Sequence, residues 1–499
     1  SISRRWIALQ FLNDDRNIVK SLKDFVQNSS INGGVGENID KVLLEIEELI
    51  TEGAIDKQKT QDKIISSIVK TSEKIYRDVV YIKNENYNEM DRKIDNIFTS
   101  KVFGIPIMLG LLGVVFWLTI QGANYPSEAL ASFFFWIEGY LDRFFIYYSL
   151  PRWFHGILVQ GMYRTLGWVI SVMLPPMAIF FPMFTLLEDL GYLPRIAFNL
   201  DSFFKRACAH GKQALTMCMG FGCNAAGVIA CRIIDSPRER LIAIITNNFV
   251  PCNGRFPILI SISMIFIGGL AAGIAPSIIA TIAVLAVIVL GVIITLIISK
   301  ILSKTILKGL PSSFTLELPP YRKPQVGRIL VRSIFDRTLF VLCRAIVVAA
   351  PAGLVIWVMA NVNIGNISIL DHGATFFDSF GRLIGMDGYI IMAFILGFPA
   401  NEIVIPIMVM SYMSTGAMME LESLTALRNL LINNGWNWLT AVCVMIFTLL
   451  HFPCGTTLLT IGKETQSAKW TFASFIIPTL TGIVVCFILA QVVRLLGFV

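Results

Sequence analysis

The pattern of polar and apolar positions changes character once along the chain, near residue 100. Before that point apolar residues recur at helical spacing between charges, as in VLLEIEELI (42–50) and KIISSIVKTSEKIYRDVV (63–80). That pattern predicts soluble amphipathic helices. Asn32-Gly33-Gly34 reads as a loop, and no strand alternates cleanly. Beyond residue 100 come apolar runs at 102–121, 157–187, 241–269, 271–299, 338–362, 388–411, 438–461 and 471–493. Each approaches or exceeds the ~20 helical residues that a hydrocarbon core requires. The aromatic stretch 122–156 predicts an interfacial segment, and Pro175, Pro176 and Pro182 predict a kink in the second run. The fold expected is all-α: a polytopic membrane protein of two inverted repeats with re-entrant or broken helices, preceded by a small soluble helical domain. The domain limits expected are 1–99 for the helical domain, 100–310 for the first repeat, 311–337 for a connection and 338–499 for the second repeat.

Several of the apolar runs are interrupted, and the interruptions carry chemistry. In 213–257 the break Gly220-Phe221-Gly222 is followed by Cys223 and Asn224, and a second break reads Pro251-Cys252-Asn253-Gly254. In the second half Gly397-Phe398-Pro399 precedes Asn401 and Glu402, and Pro453-Cys454-Gly455 precedes Thr456 and Thr457. Irregular backbone at membrane depth must be enclosed by protein or line a wet cavity, because lipid cannot satisfy its polar groups. Corresponding interruptions in two halves point to a transport site. The plainer alternative is that the glycines serve only close helix packing.

Composition and charge sharpen this picture. The chain is 55% hydrophobic and 15% charged, with a mean hydropathy of +0.68, which excludes a soluble globular class. Residues 1–100 hold 15 basic and 17 acidic residues, whereas 101–499 hold 26 and 17. The basic excess sits in membrane-flanking loops and excludes nucleic acid as the partner. The connection 300–337 has eight Lys and Arg against Glu317 and Asp336, so the positive-inside rule places it in the cytoplasm. Two runs, 241–269 and 271–299, precede it, which puts the Arg238-Glu239-Arg240 loop on the same side. Residues 216–233 must then enter and return as a re-entrant hairpin with its tip near Gly220–Asn224. The first 30 residues contain no apolar leader, and the chain opens Ser-Ile-Ser-Arg-Arg, which predicts a processed or truncated product. Nine cysteines without framework spacing predict no organising disulfides, and no GxxxxGK[ST] loop offers a nucleotide site, so no catalytic site is expected in this chain.

Glu402 is the most informative single residue. A carboxylate at mid-helix depth costs about 3 kcal/mol and is usually functional. Its alternatives are an interfacial position, a pairing with Arg255, or a role in proton coupling. Cys223, Cys252 and Cys454, beside Asn224, Asn253, Thr456 and Glu402, mix soft and hard donors. Such a set suits a borderline divalent ion such as Fe2+, held moderately and released again. His451 reads more as a hydrogen-bonded packing histidine than as a ligand, and the methionines read as lipid-facing or core filler.

The segments GFGCN (220–224), DSPRERL (235–241), PCNGR (251–255), GFPANE (397–402) and LLHFPCGTTL (449–458) resemble the gate motifs of the bacterial ferrous iron transport protein B (FeoB) family. The resemblance covers essentially all of 100–499, and RRWIALQFLNDD (4–15) with the helices after it resembles that family's helical domain. It implies inward Fe2+ transport across the bacterial inner membrane, with residues 1–99 in the cytoplasm relaying the state of an N-terminal G domain. GTP and Mg2+ would enter only through that G domain, absent from this chain, which would hydrolyse the GTP. The implied partners are membrane lipid, the protein's own G domain, small Feo accessory proteins and further copies in a homo-oligomer. Carried over by residue, Cys223 and Cys252 match the thiols of the first gate motif, Cys454 that of the second, and Glu402 the acidic position after the Gly-Pro break. Asn224, Asn253, Asn401 and Thr456 would support them, and Gly220, Gly222, Pro251, Gly397, Pro399 and Pro453 would form the breaks. Two departures stand beside the ligands: Ala225-Ala226 where proline usually follows Cys-Asn, and Asn401 where many members have lysine. They leave Mn2+ as an alternative cargo. An ion-coupled carrier of a nucleoside-like solute is the competing class.

Overall fold

The computed structural model describes residues 57–80, 89–100, 102–207, 209–234, 236–270, 275–308, 321, 325–418 and 424–497. The helix expected at 42–50, the Asn32-Gly33-Gly34 loop and residues 311–320 and 322–324 of the 311–337 connection lie outside the described residues. The chain divides into two compact units, one of residues 1–89 and 310–315, the other of 90–309 and 316–499. In the first, the described element is the amphipathic helix α1 (Lys57–Val79).

The remaining elements follow in order. They are α2 (Glu89–Phe98), α3 (Gly104–Tyr147), α4 (Arg152–Asp189, π-helical over Gly156–Tyr163), α5 (Tyr192–Arg206), α6 (Gln213–Gly222) and α7 (Asn224–Ala230). Next come α8 (Pro237–Thr246), α9 (Phe256–Ile262), α10 (Ala275–Lys304), α11 (Val326–Arg332) and α12 (Phe340–Asn361). A small hairpin of β1 (Asn363–Ile364) and β2 (Ile367–Ser368) pairs Asn363 with Ser368. Then follow α13 (Ile369–Leu383), α14 (Gly388–Leu396), α15 (Val404–Met413), α16 (Leu424–Asn433), α17 (Trp438–Leu450), α18 (Gly455–Thr465) and α19 (Ala468–Leu495). The architecture is that of an all-α, polytopic membrane protein. Arg152–Asp189, Ile279–Lys304, Trp438–Thr465 and Ala468–Leu495 are long and apolar enough to cross a membrane, and α13 and α14 form a pair bent by 111°.

Two expectations change. The stretch 122–156 is not a separate interfacial segment, because α3 runs unbroken for 44 residues, roughly 66 Å. Side-chain pairs hold its distal half to α4: Arg164 reaches the buried Glu138 at 2.7 Å, and His155 reaches Asp142 at 2.6 Å. The run 241–269 is likewise not one helix. It splits into α8, a 3-10 turn at Asn247–Phe249, an irregular stretch and α9.

The hairpin expected at 216–233 is present. α6 and α7 have 10 and 7 residues, about 15 and 10 Å, too short to cross alone. Gly227 of α7 lies so close to α6 that a Cβ there would sit 2.9 Å from the Thr216 carbonyl oxygen. Residues eleven apart meet this way only if the chain has folded back. Two apolar cores flank the breaks. One is built mainly from the second repeat (Phe394, Ile403, Phe447, Leu450) and the other from Phe180, Phe181, Phe184, Met217 and Phe221; Met173 packs against both.

Candidate functional site

Each break arises where one residue leaves helical geometry. Cys223 adopts φ −155°, ψ 126° between α6 and α7, and Ala400 adopts φ −154°, ψ 122° ahead of Asn401. An extended residue cannot continue the i→i−4 ladder, so the flanking helices end there. The glycines beside these positions are required by close approach. A Cβ on Gly222 would collide with the Phe180 ring, and one on Gly397 with Val404. The Pro-Cys breaks then close over the Gly-Phe breaks through matching backbone bonds: Asn253 N–H donates to the Gly222 carbonyl at 3.4 Å, and Gly455 N–H to the Phe398 carbonyl at 2.7 Å. The two halves thus repeat the same local construction.

The four breaks enclose one cavity of about 30 Å3. Cys223, Cys252, Cys454 and Glu402 all line it, and so do Asn224, Asn253, Asn401 and Thr456. Gly222 and Pro399 also contribute to its wall, whereas Gly220, Pro251, Gly397 and Pro453 shape the breaks without lining it. Glu402 is 8% exposed and packs against Gly254, whose Cβ would lie 2.5 Å from Glu402 Oε1. Cys223 and Cys454 stand at N-cap positions of α7 and α18, and Cys454 Sγ lies 3.2 Å from Thr457 Oγ1. Among the described residues no three His, Cys, Asp or Glu side chains converge closely enough to hold one metal ion together. The donors are therefore spread around a wall, unlike a closed structural site.

Arg255 does not pair with Glu402. Its guanidinium is fully buried and donates to four carbonyls: Asn248 at 2.7 Å, Leu449 at 2.9 Å, and His451 and Phe452 at 3.2 Å each. It therefore ties the Pro-Cys break of the first repeat to that of the second, and it satisfies the carbonyl end of α17, which no helical N–H can reach. Asn401 is held by His451, whose Nε2 lies 3.2 Å from Asn401 Oδ1 while Nδ1 lies 2.9 Å from the Thr448 carbonyl. His451 is thus a positioning group set behind the cavity, as its sequence context suggested. Three residues of the wall were not anticipated, Met173 and Met177 of α4 and Ala345 of α12; the two thioethers line the cavity as well as packing in the adjoining core. Their i, i+4 spacing across Pro175-Pro176 puts them on one face of α4 but does not say whether that face meets a cavity or lipid.

By size, the cavity is restrictive. A water requires about 10–15 Å3 of such space, so about two fit. Organic ligands occupy pockets of about 300–1,000 Å3. In this conformation the cavity has room for an ion stripped of most of its water and none for a nucleoside.

Comparison with known proteins agrees with this construction. Residues 170–266 and 342–468 match the Gate family, described as nucleoside recognition, and 284–336 match the C terminus of ferrous iron transport protein B. The Fe(2+) transporter FeoB of Staphylococcus aureus (strain COL) is 30% identical over 503 residues, covering 98% of this chain and 70% of that protein. Its counterpart in Methanocaldococcus jannaschii is 25% identical over 508 residues, covering 99% and 70%. The Fe(2+) transport protein A/Fe(2+) transporter FeoB fusion protein of Porphyromonas gingivalis is 24% identical over 538 residues, covering 99% and 61%. No solved structure matches. With the match to the S. aureus protein covering 98% of this chain at 30% identity, this chain belongs to the FeoB family of Fe(2+) transporters.

Proposed function

We propose that this chain carries Fe2+ across the bacterial inner membrane into the cytoplasm through the cavity between its two broken repeats. Cys223, Cys252, Cys454 and Glu402 serve as transient ligands, with Asn224, Asn253, Asn401 and Thr456 in support. The observation that carries this reading is that four separate breaks deliver three thiols and one carboxylate to a single small cavity. A borderline divalent ion profits from both donor types, and donors spread around a wall, rather than closed about one point, let the ion leave again. The names of its relatives supply the ion. Mn2+ shares enough of this chemistry to serve as the comparison cargo.

The same reading extends to what surrounds the membrane part. Residues 1–99 lie in the cytoplasm and relay the state of an N-terminal G domain, which binds GTP and Mg2+ and hydrolyses the nucleotide. The Porphyromonas relative, named as a fusion with transport protein A, makes a small Feo accessory protein a natural partner. Self-association completes the set.

The test is anaerobic uptake of radiolabelled Fe2+ by cells that depend on this transporter. Cys223→Ser and Glu402→Gln are each expected to reduce uptake at least tenfold at matched protein levels. Unchanged uptake in both removes the site assignment.

A further inference from the structure

A second cavity, of about 320 Å3, opens at the other end of the second repeat. α12 begins just after the basic connection and runs 22 residues, roughly 33 Å, to Asn361, so its end lies across the membrane from that connection. The positive-inside rule makes this the outer face. The wall is strongly polar. The end of α12 supplies Asn361, the segment after it Asn366, the first turn of α13 Asp371, and the end of α15 Ser411, Ser414 and Thr415.

Three features give this cavity a sign and a scale. Asp371 is the one charged residue among its lining residues, and its carboxylate is held in place: Ser368 Oγ donates to Oδ2 at 2.7 Å and the Tyr389 hydroxyl to Oδ1 at 3.1 Å. α12 and α15 both end here, bringing two partially negative helix C-termini to the same space; Asn361 Nδ2 ties them together by donating to the Gly416 carbonyl at 2.6 Å. The remaining side-chain donors are neutral amides and hydroxyls, with no thiol among them. With no soft donor among them, these groups can hydrogen-bond the water shell of a cation that dehydrates reluctantly. By the measure that gives the central cavity about two waters, a six-water shell needs about 60–90 Å3. The outer cavity holds that shell and the central one does not. α15 links the two, starting two residues after Glu402 and ending at Ser411–Thr415 after about 15 Å.

We propose that this outer cavity is a capture site for a fully hydrated divalent cation, bound through its water shell before the ion is stripped at the thiol cavity. The proposal rests on the transporter reading for its physiological ion, but not for its existence as a site. The probe is hexaamminecobalt(III), which has the size of a hydrated ion and does not exchange its ligands, so it cannot coordinate a thiol. Binding is measured by calorimetry on the purified protein, and inhibition by Fe2+ uptake in cells. The wild type is expected to bind it, and Fe2+ uptake to be inhibited competitively. Asp371→Asn should weaken both at least tenfold and raise the KM for Fe2+ several-fold with little change in maximal rate. Thr415→Lys, at an exposed position that no core packing depends on, should do the same and guards against a folding defect in the first variant. The double variant Cys223→Ser/Glu402→Gln should retain the binding. Equal affinity in wild type, Asp371→Asn and Thr415→Lys overturns the proposal, as does no binding to the wild type, or loss of binding in the double variant alone. Intact binding without any Fe2+ uptake by the wild type would instead remove the transporter reading and leave the site.

Discussion

Cys223 and Ala400 have the same backbone within a few degrees, yet one presents a thiol and the other a methyl group. Two residues further on the imbalance reverses, with Ala225 in the first repeat and Glu402 in the second. The duplicated construction therefore repeats geometry without repeating chemistry. The first repeat offers the soft donor at its Gly-Phe break and the second the hard one, while both Pro-Cys breaks bring a thiol. A symmetric cage of thiols would select soft metals and hold them. On the proposed reading, the divided set would offer a borderline ion something from each side and enclose it with neither.

Breaking the frame that makes the two repeats comparable should have the largest effect. Arg255→Ala removes the donor to four buried carbonyls drawn from both halves. Each unsatisfied group costs about 1–3 kcal/mol, so a loss of at least about 3 kcal/mol is expected, seen as a large fall in thermal stability of the purified protein. Gly254→Ala should leave stability nearly intact but displace the Glu402 carboxylate, since its Cβ would lie 2.5 Å from Oε1. Fe2+ uptake should then fall about tenfold, a change of about 1.4 kcal/mol in the rate-limiting barrier.

A milder change sharpens the contrast between the repeats. Ala400→Cys gives the second repeat the thiol of the first on a backbone that already accommodates one. Uptake should show a several-fold lower KM for Fe2+ together with a lower maximal rate, because the ion is held longer, and Cd2+ should inhibit more strongly. The smallest effect belongs to Cys343→Ser. This thiol is exposed and does not line the cavity, and uptake is expected to remain within the error of the assay.

The parts of this site that could be read along the chain are those where the backbone itself demands a particular residue. Glycine and proline had to stand at the breaks, and the polar residues beside them had nowhere to go but a cavity. That is why Cys223, Cys252, Cys454, Glu402 and their four neighbours could be placed at one cavity wall from the sequence. Arg255 stands in the same motif, but its acceptors at 449–452 lie nearly two hundred residues away and are carbonyls, which carry no side-chain signature. Met173 and Met177 sit in an apolar helix, where a methionine facing a cavity has the same spacing as one facing lipid. The length of α3 was hidden for a related reason. The aromatic and charged residues after Gln121 resemble a membrane interface, and only the pairing of Glu138 and Asp142 with α4 shows that the helix continues.

The central claim, that one ion meets donors from both repeats in the 30 Å3 cavity, is tested most directly by anaerobic alkylation of Cys223 and Cys454 in the purified protein with Fe2+ added. The account expects low concentrations of Fe2+ to protect the two thiols together, nucleosides to protect neither, and Glu402→Gln to abolish the protection. Protection of one thiol without the other, or protection that survives Glu402→Gln unchanged, would contradict a shared site.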